Sequence, residues 1–457
     1  MRQYFLRRLL LLPITLLGIT FIAFLITRFV PGGPLEQAVA EKQAFAGRGT
    51  GRGMENNSVL SPEEELQLKR FYGLDQPFLP AYVAWLGIWP RPINSQVVLV
   101  PFGEKSVETQ LVYEVSNTGD APLVLRIPAT ISLNVDGSPS ITLDPAKASQ
   151  AVAVFAKEHN VEANSLEPRV QAGWTARLLK TDNPVTATTA SNQPVKVDIF
   201  QLKIDGLLQG NLGRSYLRNQ PVLDIIVEKL PVSAWFGLWT LVLTYGICIP
   251  LGIVKALRHR TAIDNTTSLL LFIGYALPGY ILAVILQYAF AFHLKWLPHS
   301  GFVSEGFSQL GFWQKTGDLL WHTFLPLVCL TFGTFALMTM LMKNTLMDNL
   351  ALDYVRTAVA KGVSFRSAVI NHAFRNSLVP IATSFGNSVG LLLTGSFLIE
   401  KIFDIDGVGL LSYSSLVERD YPVFLGLLTC SAFLLLLGNI ISDVCVAWVD
   451  PRIRFDK

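Results

Sequence analysis

The sequence is poor in charge. Only 16% of its 457 residues are Asp, Glu, Lys or Arg, against roughly 25% in an average soluble protein, whereas 51% are hydrophobic. The net charge is only +3 and neither end carries a long basic tail, so nothing in the charge pattern indicates a nucleic-acid partner. With a mean hydropathy of +0.41, the composition predicts a membrane protein.

The sequence also lacks the motifs of common catalytic sites. It has no G-x-x-x-x-G-K-[ST] loop for ATP, no H-E-x-x-H and no Cys/His cluster for a metal. His322 and Ser396 have no partners at the spacing of an activated nucleophile. Its few cysteines lie in apolar runs, where a free thiol acts as a small hydrophobe: Cys248, Cys329, Cys430 and Cys445. The sequence therefore predicts no enzyme and no cofactor bound by this chain.

Long apolar runs are what the sequence has instead. A membrane-spanning helix needs about 20 mostly apolar residues, and six segments qualify: Leu9–Val30, Ala234–Leu257, Thr267–Phe292, Phe324–Met342, Leu378–Ile399 and Val423–Val449. The first run exceeds a signal-peptide core and no small-x-small cleavage site follows it, which predicts a retained anchor.

The basic residues of the short loops predict the orientation. Positive charge accumulates on the cytoplasmic side. Here it accumulates next to both ends, after the second run at Lys255, Arg258 and Arg260, and after the fourth run from Lys343 onward. Both termini and the polar segment Asp353–Gly362 are therefore predicted to be cytoplasmic. The loop after the fifth run is instead rich in acids, and three of them are predicted to form an external mouth: Glu400, Asp404 and Asp406.

The stretch between the first two runs is too long for a connecting loop. Ser61–Gly73 has the start and stop signals of a short helix. From about Pro90 to Asp205, period-two runs split by turn signals predict antiparallel strands, and Tyr113–Ile127 resembles a strand-turn-strand of bacterial immunoglobulin-like domains. This insertion could dock another external protein or act as a passive spacer.

These observations predict an all-α polytopic membrane protein of six transmembrane helices, with an inserted extracytoplasmic β-sandwich-like domain. We divide the chain into four parts: 1–30 as the N-terminal region and first helix, 31–89 as an external linker, 90–205 as the insertion, and 206–457 as the remaining five helices with a cytoplasmic loop at 343–377.

The fifth run carries a stripe of polar and small residues at helical spacing: Thr383, Asn387, Gly390 and Thr394, with Ser384 and Ser388 beside it. The stripe could line a water-filled path, or pack on another helix through Gly386-x-x-x-Gly390. In the third run, Gly274 and Pro278 predict a kink or hinge. Asp443 follows Asn439 by four residues, which predicts a structural polar pair, with each other or with a neighbouring helix.

Several motifs together resemble a known family. "DYVRTAVAKGVSFRSAVINHAFRNSLVP" (Asp353–Pro380) is similar to the cytoplasmic loop of permease subunits in oligopeptide and dipeptide ABC importers. "YGLDQP", "GNLGRSY", "RDYPV" and "DPRIR" match the same family, and "GYALPGY" is closest to its Yej-type branch. The resemblance covers most of the chain outside about Pro90–Asp205.

The resemblance implies a permease that forms half of a translocation pathway for peptides. Its implied partners are a second, homologous permease subunit, two cytoplasmic ATPase subunits that bind the ATP, a periplasmic peptide-binding protein and the lipid bilayer of a bacterial inner membrane. The general importer signature E-A-A-x-x-x-G places Gly362 at the glycine, although Arg356 replaces the Glu. The residues implied to couple this chain to the ATPase are Asp353, Tyr354, Val355, Arg356, Thr357, Ala358, Lys361 and Gly362. We expected Tyr354, Val355, Ala358 and Val359 to seat in a groove of that partner.

Two other classes of protein remain open at this stage. A secondary transporter or channel would need several ionisable residues within the membrane and repeated halves; the clear cases here are only Arg28 and Asp443, and no repeat is evident. A membrane-anchored external binding protein would place the function in the insertion.

Overall fold

The computed structural model describes residues 2–30, 33, 36, 69, 73–101, 104–115, 123–134, 138–159, 166, 173–178 and 195–449. The predicted helix at Ser61–Gly73 lies almost entirely outside these residues. The chain divides into two compact units, Gln76–Asn211 and the remainder, Met1–Asp75 with Leu212–Lys457. Each unit is described by itself.

The larger unit is helical. Its helices are α1 (Arg2–Phe29), α4 (Val222–Leu257), α5 (Ala262–Ala276), α6 (Gly279–Leu286), α7 (Phe312–Ala351), α8 (Asp353–Ala360), α9 (Phe365–Ala368), α10 (Val379–Thr394), α11 (Phe397–Ile402), α12 (Val408–Val417) and α13 (Tyr421–Val449), numbered after α2 and α3 of the smaller unit. A π-helical turn, Gln287–His293, extends α6, and another, Val369–Phe374, extends α9.

Within the described residues, four helices are long and apolar enough to cross a membrane: α1 from Arg7, α4, α7 and α13. The third predicted span is a bent pair instead, because α5 and the continuous stretch Gly279–His293 meet at 98°. The fifth, predicted to reach Ile399, ends as α10 at Thr394, where Gly395 takes the left-handed φ of +55°. The six predicted spans thus correspond to four long helices, a bent pair at the predicted kink and the 16-residue α10.

The bend between α5 and α6 lies at Leu277 and Pro278. Proline has no N–H for the helix ladder and disfavours helical geometry in the residue before it. Gly274 lies against the ring of Phe332 on α7, so closely that a Cβ there would overlap the ring. A Cβ at Gly279 would lie 3.2 Å from the carbonyl oxygen of Cys329. The predicted break at Gly274 and Pro278 is therefore present, with α7 packed against it.

Helices α10 and α13 approach each other through glycines. A Cβ at Gly386 would lie 2.6 Å from the carbonyl oxygen of Gly438, and one at Gly390 would lie 3.1 Å from Leu435 Cδ1. Ser442 Oγ donates to the carbonyl oxygen of Ala382 at 2.6 Å. Small residues let two helix backbones come close enough for many weak contacts to add up. The packing alternative for Gly386-x-x-x-Gly390 is the one observed.

Helix α13 is also joined to α1 by an ion pair. Arg8 Nη1 lies 2.5 Å from Asp443 Oδ2. The sequence left open whether Asp443 bonds within its own helix or to a neighbouring one. In the structure it bonds to the neighbouring helix α1.

A buried ionic cluster joins α4, α5 and α7. Lys343 Nζ on α7 donates to both carboxylate oxygens of Asp264 at 2.8 Å, and Lys255 Nζ on α4 lies 3.1 Å from Oδ1. Lys255 also donates to the hydroxyls of Thr267 and Ser268, at 2.8 and 2.7 Å. Both Lys255 and Asp264 are almost completely buried. The sequence counted the two lysines only as loop charges, so their burial is a finding.

Two of the sequence motifs meet at the start of α13. Asp420 is buried, and its carboxylate accepts a hydrogen bond from the hydroxyl of Ser215 and another from the backbone N–H of Tyr216, the latter at 3.0 Å. The hydroxyl of Ser215 also accepts from the N–H of Arg218. The "GNLGRSY" and "RDYPV" segments therefore pin the loop before α4 to the start of α13.

The smaller unit contains two antiparallel three-stranded sheets. Its strands are β1 (Arg91–Val100), β2 (Ser106–Val115), β3 (Leu123–Leu133), β4 (Pro139–Leu143), β5 (Trp174–Leu178) and β6 (Val195–Lys203), and its helices are α2 (Phe78–Leu86) and α3 (Pro145–His159). The strand orders are β1-β6-β5 and β2-β3-β4. Strands β2 and β3 pair from Val115 opposite Leu123, the hairpin expected within Tyr113–Ile127, although its turn lies outside the described residues.

One strand prediction in this unit is wrong. The run "AVAVF" (Ala151–Phe155) lies inside helix α3 rather than in a strand. Val152 and Phe155 are buried in the same core as Ile127, Ile131 and Ile199 of the sheets. A short apolar run is compatible with either a strand or a buried helical turn. Here Asp144 favours the helix, because its carboxylate accepts a hydrogen bond from the N–H of Ala146 and caps the first turn.

Substitution of Gly386 tests the close packing of α10 on α13. We expect Gly386→Ala to cost about 1–3 kcal/mol, because the new methyl group overlaps the backbone of Gly438. The measurement is the thermal unfolding temperature of the purified chain in detergent. Gly246→Ala is the control, since Gly246 is also helical and has open space around it. An equal response of the two variants would contradict the packing.

Substitution of Asp264 tests the ionic cluster. Asp264→Asn leaves two buried lysines without their carboxylate, and removing one partner of a buried ion pair costs about 3–5 kcal/mol. We expect a clear fall in the thermal unfolding temperature. In the control Asp353→Asn, the side chain is 95% exposed and 3.9 Å from Arg356, so no measurable change is expected. If Asp264→Asn behaved like this control, the cluster would not hold the helices.

Candidate functional site

Helix α8 is the short polar helix that the sequence placed between two apolar runs. It begins at Asp353, whose acidic side chain suits the positive end of the helix dipole. It ends before Gly362, which has a left-handed φ of +92°. The N–H of Val363 then donates to the carbonyl oxygen of Ala358 at 3.2 Å, as in a glycine-terminated helix. Eight residues are too few for a stable isolated helix, so packing must hold α8 in place.

Two side chains attach α8 to its neighbours. Val355 is 3% exposed and belongs to one core with Met342 and Leu346 of α7. The hydroxyl of Tyr354 donates to Asn349 Oδ1 at 2.9 Å and accepts from Asn376 Nδ2 at 3.1 Å. The helix is therefore fixed to the end of α7 on one side and to the segment before α10 on the other.

The exposed face of α8 differs from the one expected. Val355 points into the protein's own core, so it cannot enter a groove of a partner, and Tyr354 is tied by its two hydrogen bonds. Ala358 is half-buried. The residues exposed to solvent are Asp353, Tyr354, Arg356, Thr357, Val359, Ala360, Lys361 and Gly362. A partner would meet a mixed charged and apolar surface.

A cavity of about 320 Å³ lies between α4, α7 and α10. Its walls carry hydroxyl groups and apolar side chains and no formal charge. The hydroxyls of Tyr245 and Ser388 lie 3.2 Å apart, and those of Thr244 and Thr334 lie 3.4 Å apart. The lining residues are Gly237, Thr240, Leu241, Thr244, Tyr245, Thr334, Leu337, Met338, Leu341, Ser384 and Ser388.

Thr240 has an unsatisfied polar atom at this cavity. Its Oγ1 is shielded from solvent and has no hydrogen-bond partner among the described residues. A buried hydroxyl without a partner is destabilising by itself. In this conformation the Thr240 hydroxyl is therefore closed off from the open space of the cavity as well.

The residues predicted to line a pathway only partly reach this cavity. Gly390 packs on α13, and Thr383 is exposed, with its hydroxyl bonded to the carbonyl oxygen of its own helix at Val379. The side chains of Asn387 and Thr394 lie outside the described residues. The cavity contains Ser384 and Ser388, which the sequence showed as a row beside the stripe. The predicted stripe and the row of α10 residues that lines the cavity therefore differ by one residue position around the helix.

The three acids of the predicted external mouth have different environments. Glu400 is buried, which raises the pKa of its carboxyl group. Hydrogen bonds from the backbone N–H groups of Ser396, Gly409 and Leu410 partly oppose this rise, and the Leu410 bond is 2.6 Å long. The expectation of an exposed mouth residue is therefore wrong for Glu400, which instead fastens α11 to α12.

Asp404 and Asp406 are exposed, as a mouth residue should be. Asp406 Oδ2 lies 2.5 Å from Nζ of Lys229 on α4, and Asp404 has a left-handed φ of +52°. The sequence did contain a signal for the burial of Glu400. A Cβ at Gly407 or Gly409 would lie 2.7 Å from a carboxylate oxygen of Glu400, so these glycines make room for it.

The described residues contain no group of three or more His, Cys, Asp or Glu side chains that could hold a metal ion. The four cysteines are free thiols.

Comparison with known proteins identifies the family. Residues 248–455 match the model of the family described as "Binding-protein-dependent transport system inner membrane component". This range includes the C-terminal end of α4 and all the later helices, α8 among them, and it excludes the β-rich unit.

Individual relatives agree with this match. The chain is 42% identical to the "Peptidoglycan transport system permease protein YejB" of Agrobacterium fabrum over 250 residues, 54% of this chain and 69% of the relative. It is 38% identical to the "Inner membrane ABC transporter permease protein YejB" of Escherichia coli O157:H7 over 275 residues, 60% and 75% of the two chains. It is 33% identical to the "Oligopeptide transport system permease protein AppB" of Bacillus subtilis over 253 residues, 55% and 78%.

These relatives confirm the resemblance to ABC-importer permeases of the Yej-type branch, and they do not favour a secondary transporter, a channel or an anchored binding protein. The apolar helices and the family agree on a multi-pass inner-membrane protein. The chain belongs to the family of binding-protein-dependent transport system inner membrane components and is a permease subunit of the ABC-importer type.

Proposed function

We propose that this chain forms half of the path by which an ABC importer carries peptides into the cell. Its partners would be a second, homologous permease subunit, two cytoplasmic ATPase subunits that bind the ATP, and a periplasmic peptide-binding protein. The names of the peptide, oligopeptide and dipeptide permeases among the relatives support the substrate class. No catalytic role is assigned to this chain.

In this proposal the chain crosses the membrane six times. The crossings are α1, α4, the bent pair of α5 and α6, α7, α10 and α13, which leaves both termini and α8 in the cytoplasm. The β-rich unit and the loop with Asp404 and Asp406 then lie outside the cytoplasm. The density of Lys and Arg around α8 and next to both ends supports this orientation.

The attachment of α8 to α7 is the observation that carries the mechanism. Val355 is buried against Met342 and Leu346, so a push on the exposed face of α8 is delivered to α7. Three residues on the next turns of α7, Leu337, Met338 and Leu341, line the cavity. A movement imposed by an ATPase on α8 therefore reaches the cavity wall through a single helix.

The cavity lining suits peptides. Peptide backbones are repetitive and uncharged, and they offer a donor and an acceptor at every residue. Hydroxyl groups can do both, and the apolar residues accept side chains without selecting a charge.

The bend in the third crossing is proposed to act as a hinge in this movement. Gly274 and Pro278 lie at the break, and Gly274 rests on Phe332 of α7. A shift of α7 would therefore change the support of the bend directly.

Substitution of Gly362 tests the role of α8. We expect Gly362→Val to abolish peptide-stimulated ATPase activity of the assembled complex, because a β-branched residue is strained at a φ of +92° and the end of α8 must unwind. Gly306→Val is a matched control, with a left-handed φ of +83° and open space around it but no contact with α8.

Asn tolerates left-handed geometry, so Gly362→Asn should retain much of the coupling. The lever account would be wrong if Gly362→Val assembled with the ATPase subunits and kept full peptide-stimulated activity.

Filling the cavity tests the proposed path. We expect Ser388→Leu to lower peptide uptake into proteoliposomes at least tenfold while the complex still assembles, because the larger side chain occupies the cavity. Thr383→Leu is the control, since Thr383 is on the same helix but outside the cavity, and uptake should stay within about twofold. If Thr383→Leu blocked uptake and Ser388→Leu did not, the path would follow the original stripe.

The same assay separates the possible substrates. Competition by oligopeptides of mixed sequence should exceed competition by a peptidoglycan fragment that lacks a peptide stem. The opposite order would indicate that this chain resembles its Agrobacterium fabrum relative in substrate rather than the oligopeptide permeases.

A further inference from the structure

The loop between α4 and α5 presents an unpaired cationic pair. Arg258 and Arg260 are exposed, and neither guanidinium has an acidic partner among the described residues. The nearest acid, Asp264, is already engaged by Lys255 and Lys343. Two lysines against one aspartate leave one uncompensated positive charge directly beneath the loop, which adds to the field of the two arginines.

The loop is held in this shape at a conformational cost. Arg260 has a left-handed φ of +63°, a region where glycine or asparagine would be less strained. Its backbone N–H donates to Asp264 Oδ2 at 3.1 Å, and the hydroxyl of Thr261 donates to the carbonyl oxygen of Arg258 at 2.6 Å. Strained residues that persist often mark functional positions. Here the strain keeps an arginine side chain where a glycine would satisfy the backbone.

An apolar surface continues directly from this loop. Along α5 the exposed side chains include Ile263, Leu269, Leu270 and Ile273, each between 41% and 61% exposed. Helix α5 has 15 residues and is about 22 Å long, which exceeds the thickness of one bilayer leaflet, about 15 Å. The arrangement is cationic at the end of the helix and apolar along its length.

We propose that Arg258 and Arg260 bind the phosphate headgroup of an anionic phospholipid whose acyl chains lie along the exposed face of α5. Charge complementarity favours this occupant over another protein, because the surface combines two unpaired guanidinium groups with a mostly apolar exposed face of α5, interrupted by Asn265 and Thr266 and longer than one bilayer leaflet. Arginine can donate two hydrogen bonds to one phosphate group. A zwitterionic headgroup, which has no net charge, attracts the two arginines less strongly than an anionic one. The buried Lys255, Asp264 and Lys343 act as positioning residues for the loop.

Lipid binding by purified full-length chain tests this site. Native mass spectrometry in mixed micelles would compare dioleoylphosphatidylglycerol with dioleoylphosphatidylcholine. Each arginine near an anionic headgroup contributes about fivefold in affinity, so Arg258→Gln/Arg260→Gln should weaken phosphatidylglycerol binding about 25-fold and leave phosphatidylcholine unchanged. Arg366→Gln, an exposed arginine elsewhere on the chain, is the matched control and should have no effect.

A second variant separates binding from stability. Arg260→Gly relieves the left-handed strain, so the unfolding temperature should stay equal or rise while phosphatidylglycerol binding falls about fivefold. Arg260→Lys should retain most of the binding. Unchanged binding in the double variant, or an equal loss in Arg366→Gln, would overturn the proposal. So would displacement of the lipid by millimolar inorganic phosphate, which would assign the site to a soluble anion. None of these readouts depends on peptide transport.

Discussion

A single buried carboxylate organises the part of the molecule that we propose to move. Asp264 holds Lys343 of α7 and Lys255 of α4 within one cluster, closed to solvent. In low-dielectric surroundings, removing the carboxylate from the two lysines carries a large penalty, so the three helices cannot separate there without a large cost in free energy. Lys343 follows directly after Met342, which packs in one core with Val355 of α8. The ion pair of Lys343 with Asp264 and the attachment point of α8 therefore lie on the same turn of α7.

Helix α7 thus has two fixed connections, one to α8 and one to the ionic cluster around Asp264. Its third connection, to the cavity, can vary. The C-terminal end of α7 carries α8 and Lys343 of the ionic cluster. Three turns earlier, Thr334 and Leu337 on the other face of α7 form a wall of the cavity. Gly274 of the bent third crossing rests on Phe332 of the same helix. A permease without a nucleotide site needs such a connection, because the free energy of ATP hydrolysis has to enter through a surface contact and reach a site inside the membrane.

Sequence patterns predicted the elements with strong local signals. Long apolar runs located the straight helices α4, α7 and α13, and the charged segment at Asp353 with Gly362 behind it predicted α8 closely. Pro278 and Gly274 correctly indicated a break. These features depend on the residues of one short segment, so a single sequence is enough to recognise them.

The misplaced features depend on distant partners. The sequence pattern places Glu400 among exposed acids, because the three N–H groups around it and the room left by Gly407 and Gly409 arise only when α11 and α12 pack together. Val355 was assigned to a partner's groove, although Met342 and Leu346 of its own chain cover it. The pathway stripe was displaced by one residue around α10 because both of its faces are small and polar, and only the contact with Gly438 shows which one packs. The sequence shows Lys255 and Lys343 only as loop charges, because only the fold places Asp264 between them.

The distance between α8 and the middle of α7 during ATP binding tests the central claim most directly. Spin labels at Arg356→Cys and Phe324→Cys, in a complex without the four native cysteines, would lie about 25 Å or more apart, because α7 rises 1.5 Å per residue between Phe324 and Met342, where α8 packs. Double electron–electron resonance should give the same narrow distance with and without ATP, whereas labels at Arg356→Cys and Trp448→Cys, across to α13, should change. A change in the first pair with a constant second pair would mean that α8 moves independently of α7, which would contradict the account.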